Sequence, residues 1–183
     1  NNGTLAGHDG IDLNSFSGLV ALSGVTPDSN RVSGIPINNA RTVSVTNGSA
    51  SSNGFDGLIA STISGAITIS GGSYNSDGAA DANGDGIAIT MAAFTVSLTN
   101  VTANSNSDDG FVGANITSAV SVSGGTFNNN GTGTATGDGI QLVNVGAVTF
   151  TSGVNAIGND PGVLISGALS FSDTDGVFTD NDD

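Results

Sequence analysis

The residues that could do chemistry in this chain are almost all aspartates. Every one of the sixteen acidic residues is Asp, against Arg31, Arg41 and the single histidine, His8. The run Asp81-Ala82-Asn83-Gly84-Asp85-Gly86 sets oxygen ligands at alternate positions ahead of a glycine. That is how a calcium loop begins. The bidentate Glu that would close such a loop is missing, because its place falls on Ala92. Asp173-Thr174-Asp175-Gly176 and the acidic run 180–183 form a second cluster. Asp81, Asn83 and Asp85, with Asp173 and Asp175, are therefore the candidate metal ligands, and Ca²⁺ the candidate ion. Asp108-Asp109 is a paired carboxylate, the tool of acid–base glycan chemistry.

Further acids recur before glycine: Asp9, Asp56, Asp85, Asp109 and Asp138. A catalytic acid occurs once or twice in a chain, not in nearly every repeat. A capping role, in which the carboxylate accepts backbone N–H groups, accounts for the recurrence. His8 has neither a Cys partner nor a triad-like context, so no catalytic residue is assigned. The sequons at Asn2, Asn47, Asn100, Asn115 and Asn130 are no more than so Asn- and Thr-rich a chain produces by chance.

These acids sit within a repeat. Gly10, Gly34, Gly57, Gly86, Gly110, Gly139 and Gly162 each open a unit, at spacings of 24, 23, 29, 24, 29 and 23. Periods of this length indicate a solenoid. After each glycine come short stretches of alternating apolar residues. The first set includes Ile11–Leu13, Ile35–Ile37, Ile87–Ile89 and Ile140–Leu142. The second runs from Val20–Leu22 through Val96–Leu98 and Val120–Val122 to Leu169–Phe171. A third apolar mark follows at Val25, Tyr74, Val101, Phe127, Val154 or Val177. Period-two alternation puts one side of each stretch inward. The chain lacks Glu and Lys and is rich in Gly, Ser, Thr, Asn and Val, the vocabulary of strands and turns.

The expected fold is all-β: one domain over 1–183, a right-handed parallel β-helix of about seven coils with three short strands per coil. Ile87, Ile89, Val96, Leu98, Val120 and Val122 should be buried. A larger unit repeats at an offset of 53, Ser70-Gly71-Gly72-Ser73-Tyr74-Asn75 against Ser123-Gly124-Gly125-Thr126-Phe127-Asn128. The extra residues of the two long coils, roughly 76–83 and 129–136, should form loops on one edge. Asn30, Asn53, Asn75, Asn104, Asn128 and Asn159 recur near that turn and should form a structural ladder between coils. Two outward hydroxyl columns are expected, one from Ser44 to Ser170 and one from Ser23 to Ser172.

The repeat resembles the β-helix of giant bacterial adhesins, autotransporter passengers and filamentous-haemagglutinin-like surface proteins. The resemblance covers nearly the whole chain. A secreted or cell-surface structural or adhesive role fits it, and the phase of the sequence, both ends falling at the same turn, predicts copies stacked head to tail or neighbouring repeats of a longer chain; the shortage of Arg and aromatic residues argues against an enzyme. Polysaccharide lyases share the fold, and an ice- or water-organising Ser/Thr surface is a further alternative. Charge and composition narrow the choice. A net charge of −14 opposes binding to nucleic acid or to an anionic membrane. No apolar run reaches the length of a membrane span. With no Trp, one Tyr and two Arg, the chain is poor in the groups that grip sugar acids. The first residue is Asn and no signal pattern opens the chain, which fits a processed product or an excerpt.

Overall fold

The computed structural model describes residues 7–133 and 137–181. The expected opening motif at 1–4, the end of the second long loop and the last two acids lie outside the described residues. The chain is an all-β parallel solenoid of about 7 turns, and the described residues contain no helix. On the first face stand β3 (Leu58–Ile63), β5 (Ile87–Ala92), β7 (Phe111–Ile116), β9 (Ile140–Val145) and β11 (Val163–Ser166). On the second stand β4 (Ile67–Ser70), β6 (Val96–Thr99), β8 (Val120–Ser123), β10 (Ala147–Thr151) and β12 (Ser170–Asp173). Two longer strands, β1 (Leu13–Ser23) and β2 (Ile35–Thr46), run through the corner between these faces. Every pairing is parallel, and β2 joins both faces into one sheet by pairing with β3 and β4. The third face is a column of single bridges, Ser49, Ser73, Thr102, Thr126, Asn155 and Val177.

The core lies inside the coil. Ile87, Ile89, Val96, Leu98, Val120 and Val122 are each fully buried, as the alternation requires. On the third face the inward residue after each bridge alternates in size: Ala50, Tyr74, Ala103, Phe127, Ala156, Phe178. The residue before the bridge compensates in five of the six coils: glycine precedes the aromatics at Gly72, Gly125 and Gly176, and valine precedes alanine at Val101 and Val154, while Gly48 ahead of Ala50 is the exception. A Cβ on Gly125 would touch the Phe127 ring at 3.5 Å. The first face has a related device: Gly113 occupies an inward place where a Cβ would lie 2.7 Å from Leu142 Cδ2 of the next coil and 3.3 Å from Phe111 Cζ. A constant cross-section at close-packed density leaves room for a ring only where another side chain is absent. From Ala50 to Phe178 the offset of 53 is therefore a packing period, one small-residue coil and one aromatic coil; the first coil, with Pro27 ahead of Ala50, does not keep it.

Three expected positions shift. In the last coil the strand pairs Ser170 with Ala147 and Phe171 with Val148. The outward column running through Ser44 and Thr149 thus ends at Ser172 rather than Ser170. By the same register Ser172 leaves the Ser23 column, and Asp173 falls opposite inward-facing Phe150. Val177 holds the outer bridge place and Phe178 the inward one. The apolar residues of that coil looked alike in sequence, and only strand register separates them.

Each leading glycine is required by its turn. A Cβ on Gly110 would lie 2.6 Å from Gly139 O, 2.7 Å from Asn130 Nδ2 and 2.8 Å from Ala103 O. Equivalent amide contacts stand at Gly34, Gly86 and Gly139. Two of the three atoms at Gly110 are backbone and have nowhere to move. Gly110→Ala should therefore cost about 1–3 kcal/mol or more, whereas Gly18→Ala, with nothing within 4 Å, should be near neutral. Thermal unfolding of the two variants by circular dichroism checks this.

Candidate functional site: the acidic edge

The turn between the third and first faces gathers the polar residues. Its inner ladder is buried and continuous. Asn30 N–H donates to Asn53 Oδ1, Asn53 N–H to Asp77 Oδ1, Asp77 N–H to Asn106 Oδ1, and so on through Asn130 and Asn159 to Asn181. An outer ladder stands two residues earlier in each coil and runs the opposite way. In it Asn104 N–H donates to Asn75 Oδ1, Asn128 N–H to Asn104 Oδ1, and Ile157 N–H to Asn128 Oδ1. The single asparagine ladder expected from sequence is thus two ladders, with Asn30, Asn53 and Asn159 in one and Asn75, Asn104 and Asn128 in the other. Spacing alone could not separate them, because both serve the same turn.

The Asp-before-Gly column forms a third ladder. Asp85 N–H donates to Asp56 Oδ1 at 2.9 Å, Asp109 N–H to Asp85 Oδ1 at 3.0 Å, and Asp138 N–H to Asp109 Oδ1 at 2.7 Å. Ser33 stands in this column and donates its N–H to Asp9 Oδ1. Each carboxylate therefore caps the next coil rather than its own turn. The column stops at Pro161, which has no N–H to give, and Asp138 Oδ1 is left buried without a partner among the described residues.

Two loops leave this edge, each pinched at its base by a glycine pair. A Cβ on Gly84 would lie 2.7 Å from Gly78 N, and one on Gly131 2.8 Å from Gly137 N. In the first loop Asn83 donates both its backbone N–H and its Nδ2 to Asp81 Oδ1. Of the proposed trio Asp81, Asn83 and Asp85, the structure draws Asp85 instead toward Asp108 and Asp109. One carboxylate oxygen from each of these three lies within 4.8 Å of the others. Asp173 and Asp175 stand exposed in the last coil. Sequence reading placed Asp85 and Asp109 in one recurring column of acids and weighed Asp108-Asp109 as an acid–base pair; it did not bring Asp108 to Asp85 as the third carboxylate. The donor set of the trio is oxygen only, which suits a hard cation such as Ca²⁺.

Burial dominates the electrostatics of this edge. It pushes the carboxyl of Asp85 up to about 9, with Asp109 and Asp56 adding repulsion. Burial likewise raises Asp109 to about 7, Asp56 to about 6 and Asp138 to about 6, partly offset by the hydrogen bonds each accepts. Asp77 is the one acid in the inner amide ladder. Burial pushes it up to about 8, against the hydrogen bonds from Asn53. Its Oδ2 finds no partner. At the equivalent place Asn130, Asn159 and Asn181 donate Nδ2 to a backbone carbonyl of the preceding coil. A neutral carboxyl at Asp77 can make that donation, and a carboxylate cannot.

Away from this edge lie two shallow depressions. One, of about 290 Å³, is lined by residues including Phe16, Asn39 and Arg41; the other, of about 280 Å³, includes Asn144 and Leu169. Neither contains a carboxylate. His8 is exposed. No family model, curated protein or solved structure matches this chain.

The raised carboxyls set the pH dependence. Each binds its proton more tightly folded than unfolded, where the reference value is 3.8. The folded state then holds more protons than the unfolded state above about pH 4, so stability falls as pH rises from there through about 9. The melting temperature should be higher at pH 4.5 than at pH 9, the reverse of ordinary acid denaturation. Asp77→Asn should raise it at pH 9 and change it little at pH 4.5.

Proposed function

We propose that this chain is an extracellular structural or adhesive β-solenoid, a subunit of a cell-surface filament or a segment of a giant adhesin. The observation that carries this reading is the use made of the acids. In the Asp column Asp56, Asp85 and Asp109 each spend a carboxylate oxygen on the backbone of the next coil. A repeated side chain committed to holding coils together serves the length of the solenoid, not a reaction at one point. The outward column from Ser44 through Thr68, Ser97, Ser121 and Thr149 to Ser172 presents a ladder of small hydroxyls over the sheet. Such a face suits adhesion by many weak contacts.

A Ca²⁺ ion at Asp85, Asp108 and Asp109 fits this role as a strut between adjacent coils. It would neutralise carboxylates that otherwise repel one another, and anything that binds only the folded state stabilises it by mass action. Millimolar Ca²⁺ over chelator should raise the melting temperature at pH 8, and Asp108→Asn should remove the increment. An equal melting temperature in both conditions would leave the trio to turn geometry alone. The structural reading itself is checked by incubation with neutral and acidic polysaccharides. No cleavage is expected, and cleavage lost in Asp109→Asn would overturn it.

A further inference from the structure

The two loops on the acidic edge are built alike and differ at one buried residue. In the first, Gly78 N–H donates to Phe55 O, Ala79 N–H to Asn53 O and Ala80 N–H to Gly54 O. In the second, Gly131 N–H donates to Asp108 O, Thr132 N–H to Asn106 O and Gly133 N–H to Ser107 O. Each loop thus lies on the coil before it through the same three bonds. Each is also held by the coil after it, where Asp108 N–H donates to Gly84 O and Asp160 N–H to Gly137 O. Asp77 leads into the first loop, and Asn130 leads into the second. Both stand in the inner ladder, and each accepts two bonds at Oδ1 from the asparagine of the coil before.

The two residues part at the other side-chain atom. Asn130 Nδ2 donates to Ala103 O at 3.2 Å, and a Cβ on Gly110 would lie 2.7 Å from that nitrogen and 2.8 Å from that oxygen. The same cradle at Gly57 holds Asp77 Oδ2 and Ala50 O, each 2.6 Å from the corresponding point. Asp77 is 1% exposed, and its Oδ2 has no hydrogen-bond partner among the described residues. Two buried oxygens therefore stand together where the second loop has a donor and an acceptor. A proton on Oδ2 restores the donor. Without it both atoms are acceptors, and a charge is buried with nothing to bond that oxygen, which a low-dielectric interior penalises. From the coil after, Asn106 and Ser107 meet the Asp77 backbone, and neither ionises. The charged groups that act on Asp77 are Asp56 and Asp28, both acids, and both oppose its ionisation. Burial is the larger cause and pushes the carboxyl up to about 8, against the bonds from Asn53. The proton is therefore held below about pH 8 and lost above it.

We infer that Asp77 is a proton-operated latch on the first loop: protonated, it closes residues 78–84 onto the coils on either side, and ionised, it lets them open while the solenoid stays folded. Ionised Asp77 relieves its burial by leaving its place in the ladder, and the loop joined to it at Gly78 goes with it. The neighbouring coils are kept in register by β3, β5 and β7, whose pairings lie outside this turn. The loop is thus a unit that opens locally, at less cost than the whole fold. Opening frees the carbonyls of Asn53, Gly54 and Phe55 from the loop amides that cover them. The latch goes beyond the adhesive reading and does not depend on it.

The second loop serves as a control within the same molecule. The test is hydrogen exchange read by mass spectrometry between about pH 6 and about pH 9.5, each rate divided by the intrinsic rate at that pH. Circular dichroism at each pH establishes that the solenoid remains folded. In the wild-type chain, amides of residues 78–84 should lose protection above about pH 8, approaching about tenfold per pH unit for a single proton, while those of residues 131–133 should not. Asp77→Asn, whose Nδ2 can donate to Ala50 O, should hold the first loop closed across the range. Asn130→Asp should transfer the pH dependence to the second loop. A wild-type first loop whose protection is constant with pH would overturn the inference. So would a loss that survives Asp77→Asn, or a folded Asn130→Asp variant whose second loop is as protected at the top of the range as at the bottom.

Discussion

Every coil of this solenoid must superimpose on the next at a strand spacing of about 4.8 Å, and the rest of the structure answers to that requirement. Backbone groups on all three faces find their partners one coil away. The inside of the coil must then have nearly the same cross-section at every level. This is why bulk is traded, Phe127 against Gly125 within a coil and Leu142 and Phe111 against Gly113 across two. It is also why the leading glycines have no substitutes. At Gly10, Gly34, Gly86, Gly110 and Gly139 the chain turns against a ladder amide and the carbonyl of the next leading glycine, and at Gly57 the Asp77 carboxyl takes the amide's place.

The same requirement makes the polar edge unusual. Stacking identical turns places like residues over one another, which suits amides and penalises acids. An Asn above an Asn donates and accepts in one chain of bonds, because the side chain carries both functions. An Asp above an Asp brings two carboxylates together in a half-buried setting. The column accommodates them by giving each carboxylate the N–H of its neighbour, and burial still drives their proton affinities upward. Asp77 condenses this conflict into one residue. It holds an amide's place with a group that fits it fully only when protonated. The acidic edge is therefore both what joins the coils and the part of the molecule most sensitive to pH and to cations.

At the two ends the requirement is unmet among the described residues. Phe16 and Phe171 belong to columns that are buried elsewhere, and Asn30 Oδ1 waits in a ladder that is satisfied beyond it.

Much of this was legible in the order of residues. The seven leading glycines, the period-two alternation and the shortage of helix-forming residues were enough for a parallel solenoid of about seven coils, and the six residues expected in the core are buried. Those signals are local, and in a solenoid local pattern repeats become neighbours directly. What sequence could not supply was register to within two residues. Asn53 and Asn75 looked equivalent because both stand near the same turn, and Ser170 was set in the column that Ser172 occupies because residues two apart on a strand share a side, where period-two alternation cannot distinguish them. Nor could it show that Asp85 leans toward Asp108 and Asp109 rather than toward Asp81 and Asn83. That choice depends on which coil lies above which turn and on how far the Gly78–Gly84 pinch holds its loop aside. Only the stacked backbone decides both, since a side chain reaches a few ångströms while the residues it meets are 24 or 29 positions away along the chain.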